Sequence, residues 1–497
     1  MHFLGLDIGT TGCKGVLFNE DGKLIARAYR EYPLISGKGG ELEVNPNEVW
    51  EKTKSVIIEI SSKEKDISAI SVSSMGETVT PVDADGRFLY NSIISYDSRT
   101  APYVNWWRKR INPSEIFNIC GQSLFAIFTL NKILWIRDYK NEIYKKASKF
   151  LCYEDFIIFL LCGESFIDYS LASRTMGFDI HTKKWSEKLL EIAGIPEEVL
   201  AVPERSGKVV GKIKKELAEE LNLKKDIKIV TGGHDQVCAA LGAGIIKKGI
   251  GMYATGTVEC ITLSLGSTPV LTDEMMKNNL CCYDHTVVGQ YCTLAYNFTG
   301  GNLLKWYRDT FGERYKKEAK KKNIDPYSLI ISDLPEEPTG IFVLPHFTMT
   351  GTPYLDSHPT SAILGVTLNT SEKELIKAFL EGLTYEIRLN LEILRKSEIN
   401  IERLRATGGG AKSSIWTQIK ADVVGIPIES LETTEASCTG AAILAGIGVG
   451  CFDYKEAVKR FVKVVDIFYP DREKNEIYNE KFNKYEKIYQ KIKEIGI

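Results

Sequence analysis

Several things are scarce in this chain, and each scarcity narrows what it can be. Its eleven cysteines include no C-x-x-C pair. Most of them, such as Cys152 and Cys162, sit in apolar runs, so buried reduced thiols are expected and neither a disulfide framework nor a zinc site is. Excess charge is missing: a formal net charge of -2 over 497 residues gives no electrostatic reason to bind nucleic acid or an anionic membrane. Long hydrophobic runs are missing too. The longest, 156–162, falls far short of the roughly twenty residues a membrane span needs, and the N-terminus enters a strand without the basic and apolar regions of a signal peptide. A cytoplasmic protein with small-molecule partners is expected, and a homodimer stays open. There is no Walker loop and no repeat at solenoid period.

What is present describes a globular α/β protein. Hydrophobic residues make up 44% and charged residues 26%, and the length favours two large domains. Periodicity predicts a helix over 46–62 opened by Asn45-Pro46, a strand over 67–72, mostly helix over 113–163, and a strand over 209–213. Further on it predicts a solvated lysine-rich helix over 314–322, a long helix over 371–396 with Ser371 and Glu374 as capping box, and a surface helix over 471–497. His346 and His358 read as structural loop histidines. Strands alternating with helices imply buried sheets, and ligands gather where such strands end.

Polar residues stand at those strand ends. Asp7 closes the first apolar run and is followed by Gly9, Thr10, Thr11 and Gly12, then a second strand carrying Lys14. Glycines let backbone N–H groups approach an anion, threonine hydroxyls donate to phosphate, and a carboxylate can hold a divalent cation; a polar hairpin is the plain alternative. Met75-Gly76-Glu77 and Tyr96-Asp97 follow two more apolar runs, and Gly233-His234-Asp235-Gln236 follows a third. For Asp235 the plain alternative is a helix N-cap. Ala254-Thr255-Gly256-Thr257 then repeats the opening device, so two domains of shared topology, 1–246 and 247–497, are expected to face a common cleft. Gly300-Gly301 opens a helix that carries Lys305. Gly408-Gly409-Gly410-Ala411, before Ser413-Ser414, bares backbone at another helix start. Phosphoryl transfer needs these parts: phosphate cradles, a cation site, and a carboxylate that accepts the proton of the attacking hydroxyl.

The motifs at residues 5–11, 233–236, 254–257 and 408–413, with Trp416 and Ala421-Asp422, resemble in order the FGGY carbohydrate kinases. The resemblance implies two ribonuclease H-like domains of the actin-like ATPase type, with ATP and magnesium (Mg2+) as cofactors and a sugar as acceptor. It implies Asp235 as general base, and Asp7 with Asp235 at the metal. It places Thr10, Thr11, Lys14, Thr255, Gly256 and Thr257 on the phosphates, and Gly301, Lys305, Gly409, Gly410, Ala411 and Ser414 on the nucleotide. Met75, Gly76, Glu77, Tyr96, Asp97, His234 and Gln236 fall on the sugar side. Glu77-Thr78 is similar to the glycerol kinase branch, but Gly76 and Ile127 stand where that branch has arginine and tyrosine. Met75 is similar to the xylulokinase branch, and Gly-His234-Asp235 with Asn131 to Trp135 to the L-fuculokinase branch. A xylulose-type ketose is favoured, with an L-fuculose-type deoxyketose or a polyol as alternative. The competing class is an actin- or Hsp70-like conformational ATPase, which would not need Glu77, Asp97 and Asp235 around one small pocket.

Overall fold

His2–Ile8 (β1) leaves Phe3, Leu4, Leu6 and Ile8 with no exposure at all, the mark of a strand covered on both faces. The computed structural model describes residues 1–37, 39–356 and 358–495. Gly12–Asn19 (β2) and Leu24–Glu31 (β3) continue β1 as an antiparallel meander. β3 alternates exposed side chains with buried Ala26 and Ala28, as an edge strand does. Pro46–Lys63 (α1) starts where Asn45 accepts from the Asn47 amide and Pro46 needs no partner; it buries Val49, Val56, Ile57 and Ile60. Ile67–Ser74 (β4) pairs parallel to β1, Lys228–His234 (β6) pairs parallel to β4, and Val209–Lys212 (β5) closes the sheet antiparallel to β6. The order is β5-β6-β4-β1-β2-β3.

The second sheet repeats that order. Gly249–Thr255 (β7), Glu259–Gly266 (β8), Tyr283–Asp284 (β9) and Tyr291–Asn297 (β10) precede Ile401–Thr407 (β11), Ile428–Leu431 (β12) and Val464–Phe468 (β13). They line up as β13-β12-β11-β7-β8-β10-β9. β7, β8 and β10 form an antiparallel meander, β11 and β12 run parallel to β7, and β13 is antiparallel to β12. Six positions therefore match strand for strand, and the shared topology expected from the two glycine-threonine hairpins is present.

Two helices join the halves. Asp235–Gly242 (α2) follows β6 directly, and Ala436–Gly448 (α6), although late in the chain, lies against both α2 and the first sheet. Small residues permit this. A Cβ on Gly440 would stand 1.9 Å from the Cys238 carbonyl oxygen, and one on Gly5 2.0 Å from that of Cys438. Phe3 meets Phe452 edge-on, with centroids 5.6 Å apart.

Glu372–Lys396 (α4) and Ser414–Val424 (α5) pack on the second sheet, and Gly301–Thr310 (α3) starts at the tip of the β7–β8 hairpin. Ser371 and Glu374 cap α4 reciprocally, as their spacing predicts. The C-terminal stretch differs from its expected surface helix. It forms Arg472–Tyr485 and Ile488–Ile495 and buries Tyr478, Phe482, Tyr485 and Tyr489, with the Tyr485 ring 4.8 Å from that of Tyr385 on α4. Its aromatic stripe covers a second core. Gly496 and Ile497 lie outside the described residues. All eleven cysteines are free. Among the described residues, no helix is long and apolar enough to cross a membrane.

Candidate active site

The register of the first sheet sets Asp7 beside Ser73 and Ser73 beside Gly233, so β1, β4 and β6 end together. Asp235 is the first residue beyond that edge. Its Oδ1 lies 3.2 Å from His234 Nε2, and His234 Nδ1 lies 3.2 Å from the Tyr283 hydroxyl. Burial and the Arg174 cation push the His234 pKa down to about 3. The ring is therefore neutral, and its one N–H is available to Asp235 when Tyr283 donates to the other nitrogen. Burial, then the charges of Asp7 and Glu77, push Asp235 up to about 8. Asp7 is pushed up to about 6 by burial, against the donation of the Ser73 hydroxyl at 3.0 Å.

These shifts fix the sign of a pH effect. A carboxyl whose folded pKa is raised favours its protonated form in the fold. Its stabilising contribution is complete below the unfolded value near 4 and is lost as pH rises through about 8. Without ligands, the melting temperature is expected to fall between pH 6 and 9, and Asp235→Asn to remove part of that fall. Identical profiles for the two proteins would show that Asp235 ionises normally.

Around Asp235 opens a cleft lined by residues from both halves of the chain. Of the residues expected on the sugar side, Met75, Gly76, Glu77, Tyr96, His234 and Gln236 line it, and Thr10 joins them. Glu77 holds the left-handed backbone region, with φ 59°, an uncommon state for a side-chain-bearing residue. Two buried cations pin it there: Lys132 donates to the Glu77 carbonyl, and Arg174 grips its carboxylate through Nε at 2.5 Å and through Nη2. Arg174 draws the Glu77 pKa down against the opposing effect of burial. The Gln236 Oε1 is buried without a partner, an acceptor left for a ligand hydroxyl.

Asp97 does not line the cleft. Its carboxylate is consumed by the Leu42 amide at 2.6 Å, the Arg99 amide at 2.9 Å and the Arg99 guanidinium at 2.7 Å. With Glu43 on the same arginine at 2.8 Å, it forms a structural ion-pair cluster. Motif spacing missed both Arg174 and Lys132, since one cation in an apolar stretch does not announce a partner a hundred residues away. It also missed the opposite wall, where Val258, Cys260, Leu294, Tyr296 and Phe298 come from the second half of the chain.

The expected nucleotide side gathers around the second hairpin. Gly301 donates its amide to the Gly256 carbonyl at 2.9 Å and Asn302 to that of Thr257 at 3.2 Å, so α3 begins against the hairpin tip. The glycine turn reaches it from the other side: a Cβ on Gly410 would meet the Thr255 methyl at 2.3 Å, whereas Gly409 has open space. Ala411 follows in the same turn, and Ser414 is exposed at the start of α5. In the first hairpin, Thr11 is exposed and the Thr10 hydroxyl donates to Met75 Sδ at 3.3 Å.

Three expected contacts are already engaged. The Thr255 hydroxyl faces Glu259 and accepts from buried Lys420, which also pairs with Glu259 at 3.1 Å. Lys14 is paired with Glu435 at 2.5 Å, and Lys305, 63% exposed, is paired with Asp309. Thr255 thus stiffens the hairpin, whose Gly256 amide is itself spent on the Val258 carbonyl at 2.9 Å.

Comparison with known proteins agrees with this arrangement. The family description "FGGY family of carbohydrate kinases, N-terminal domain" matches residues 2–242, and its C-terminal counterpart matches 251–449. A xylulose kinase of Bacillus subtilis strain 168 is 27% identical over 500 residues, covering 100% of this chain and 98% of that one. A gluconokinase of the same strain is 29% identical over 471 residues, covering 93% and 90%. The ligand-bound xylulose kinase structure from Lactobacillus acidophilus superposes with a TM-score of 0.89 at 25% identity, over 99% of both chains.

Proposed function

Because the chain belongs to the FGGY family of carbohydrate kinases and is an ATP-dependent sugar kinase, we propose that its acceptor is a xylulose-type ketose and that Asp235 is the general base. The observation that carries this reading is Asp235 at the floor of a cleft that Glu77, Arg174, Gln236 and Tyr96 make polar. A carboxylate held near neutral suits proton abstraction from a hydroxyl, and His234 orients it. Glu77 and Gln236 offer acceptors for the sugar's other hydroxyls. Sequence relatives named xylulose kinase support the ketose, and Met75 keeps the residue of that branch.

Asp7 and Asp235 also suit Mg2+. Each carries a raised proton affinity, and the charge of Asp7 contributes to that of Asp235, the condition a divalent cation relieves. Bound there, Mg2+ would offset phosphate charge. Residues 1–246 carry the base and most of the sugar contacts, whereas 247–497 carry the nucleotide turns and the apolar wall of the cleft. The eleven free thiols fit a reducing cytoplasm.

The test is ATP consumption over a panel of ketoses, polyols and aldonates. A ketopentose is expected to give the highest kcat/KM; preference for gluconate or glycerol would replace the ketose reading. Glu77→Gln should raise the sugar KM roughly tenfold or more, the loss of one charged hydrogen bond, with the ATP KM nearly unchanged. Equal effects on both would remove Glu77 from the sugar pocket.

A further inference from the structure

The end of β6 departs from regular pairing just before Asp235. Val230 stands opposite Ser71 and Gly233 opposite Ser73, so three steps of β6 face two of β4. The extra residue makes a bulge, a device that re-aims the side chains beyond it. Gly232 belongs to it, since a Cβ there would meet the Val72 carbonyl oxygen at 2.0 Å. A bulge frees strand amides from the ladder, and a buried amide needs a partner. Two side chains supply them. The Gly232 amide donates to Glu154 Oε1 at 2.8 Å, and the His234 amide donates to Ser170 Oγ at 3.0 Å.

Asp168 sets the polarity of this brace. Its Oδ1 accepts from the Ser170 hydroxyl at 3.0 Å, and its Oδ2 from the Ser170 amide at 2.9 Å and the Ser206 hydroxyl at 2.7 Å. A hydroxyl has one proton. With that proton on Asp168, Ser170 offers only lone pairs to His234. Glu154 completes the set by accepting the Asp168 amide on Oε2 at 2.9 Å. Glu154, Asp168 and Ser170 have no exposure, and none of them lines the cleft. Asp168 also caps the short helix Tyr169–Ser173, which ends at Arg174, the residue that grips Glu77. That helix therefore carries the brace of the base strand at its start and the brace of a cleft carboxylate at its end.

We propose that Glu154, Asp168 and Ser170 are positioning residues for phosphoryl transfer, holding the bulge that aims Asp235 at the acceptor hydroxyl and tying it to Glu77. The proposal rests on Asp235 as the base. The three residues act through the backbone of 232–234. Misplacing a reacting group by about 1 Å is worth roughly a hundredfold in rate. Their loss therefore falls on the transfer step and not on affinity, because the phosphate turns, the Arg174 grip on Glu77 and Gln236 all stay.

The experiment is a double-mutant cycle, with Ser170→Ala and Glu154→Gln each made in the parent chain and in Asp235→Asn. In the parent, each should lower the single-turnover rate of sugar phosphate formation roughly tenfold to a hundredfold, with sugar and ATP KM within about threefold. In Asp235→Asn there is no base to aim, so the residual rate should not change. Melting temperature and ATP KM report that a variant is folded, and either variant that folds decides the matter. A normal rate in the folded variants, with Asp235→Asn slow, overturns the brace and leaves the base standing. An equal fractional loss in both backgrounds also overturns it, since that marks a general structural role. Asp235→Asn within tenfold of the parent overturns the base reading and the brace with it.

Discussion

Asp235→Asn is expected to slow sugar phosphorylation by roughly a thousandfold, within the range general bases supply, while ATP binding persists. The substitution keeps the side-chain shape and an oxygen for the His234 N–H, 3.2 Å away, but asparagine cannot take the proton of the attacking hydroxyl. The neighbouring ring cannot replace it. His234 is held near a pKa of about 3 by burial and by Arg174, and its Nδ1 already faces Tyr283. A coupled assay for turnover and calorimetry with ADP separate the two expectations. Activity within tenfold of the parent would assign the proton to another group. Strong ATP hydrolysis that no sugar stimulates would point instead to a conformational ATPase.

The largest expected loss of stability comes from the crossing of α2 and α6. Gly440→Ala places a methyl group 1.9 Å from the Cys238 carbonyl oxygen. That atom is helix backbone, so no rotamer change relieves the clash; α6 must move off α2. The crossing has no slack elsewhere, since Gly242 on α2 would meet the Ala436 carbonyl at 2.0 Å. Overpacking a rigid contact of this kind costs about 3 kcal/mol. The urea midpoint of the intact protein should fall accordingly. A midpoint equal to the parent's would mean that the helices can separate at no cost.

The catalytic frame was legible because backbone requirements write themselves into local sequence. Asp7 at the end of an apolar run, the glycine-threonine turns and the 408–410 triplet each state a strand end or a bare backbone. Two such hairpins foretold two matching sheets. Side-chain partnership was illegible. Asp97 looks like a ligand-binding carboxylate until Arg99 and Glu43 are seen to occupy it, and Thr255 looks like a phosphate donor until Lys420 turns its hydroxyl inward. Lys132 reaches Glu77 across 55 residues of chain, and Arg174 reaches Glu77 across 97 and Gln122 across 52, separations at which no periodicity speaks. The same blindness gave the C-terminal stretch to solvent, although its tyrosines and Phe482 close a core.

The placement of α6 also orders events during synthesis. The faces of β1, β2, β4 and β6 that carry Phe3, Val16, Phe18, Ala69 and Val230 are sealed by Cys438, Ala442, Ile443, Phe452 and Phe461. Those covering residues leave the ribosome about two hundred residues after β6 ends, a delay of roughly 10–40 s at ordinary translation speeds. Until then the first sheet is complete in its strands but bare on one side. The nascent chain therefore cannot finish its first domain before it has made nearly all of its second, and the two halves mature as a single folding unit.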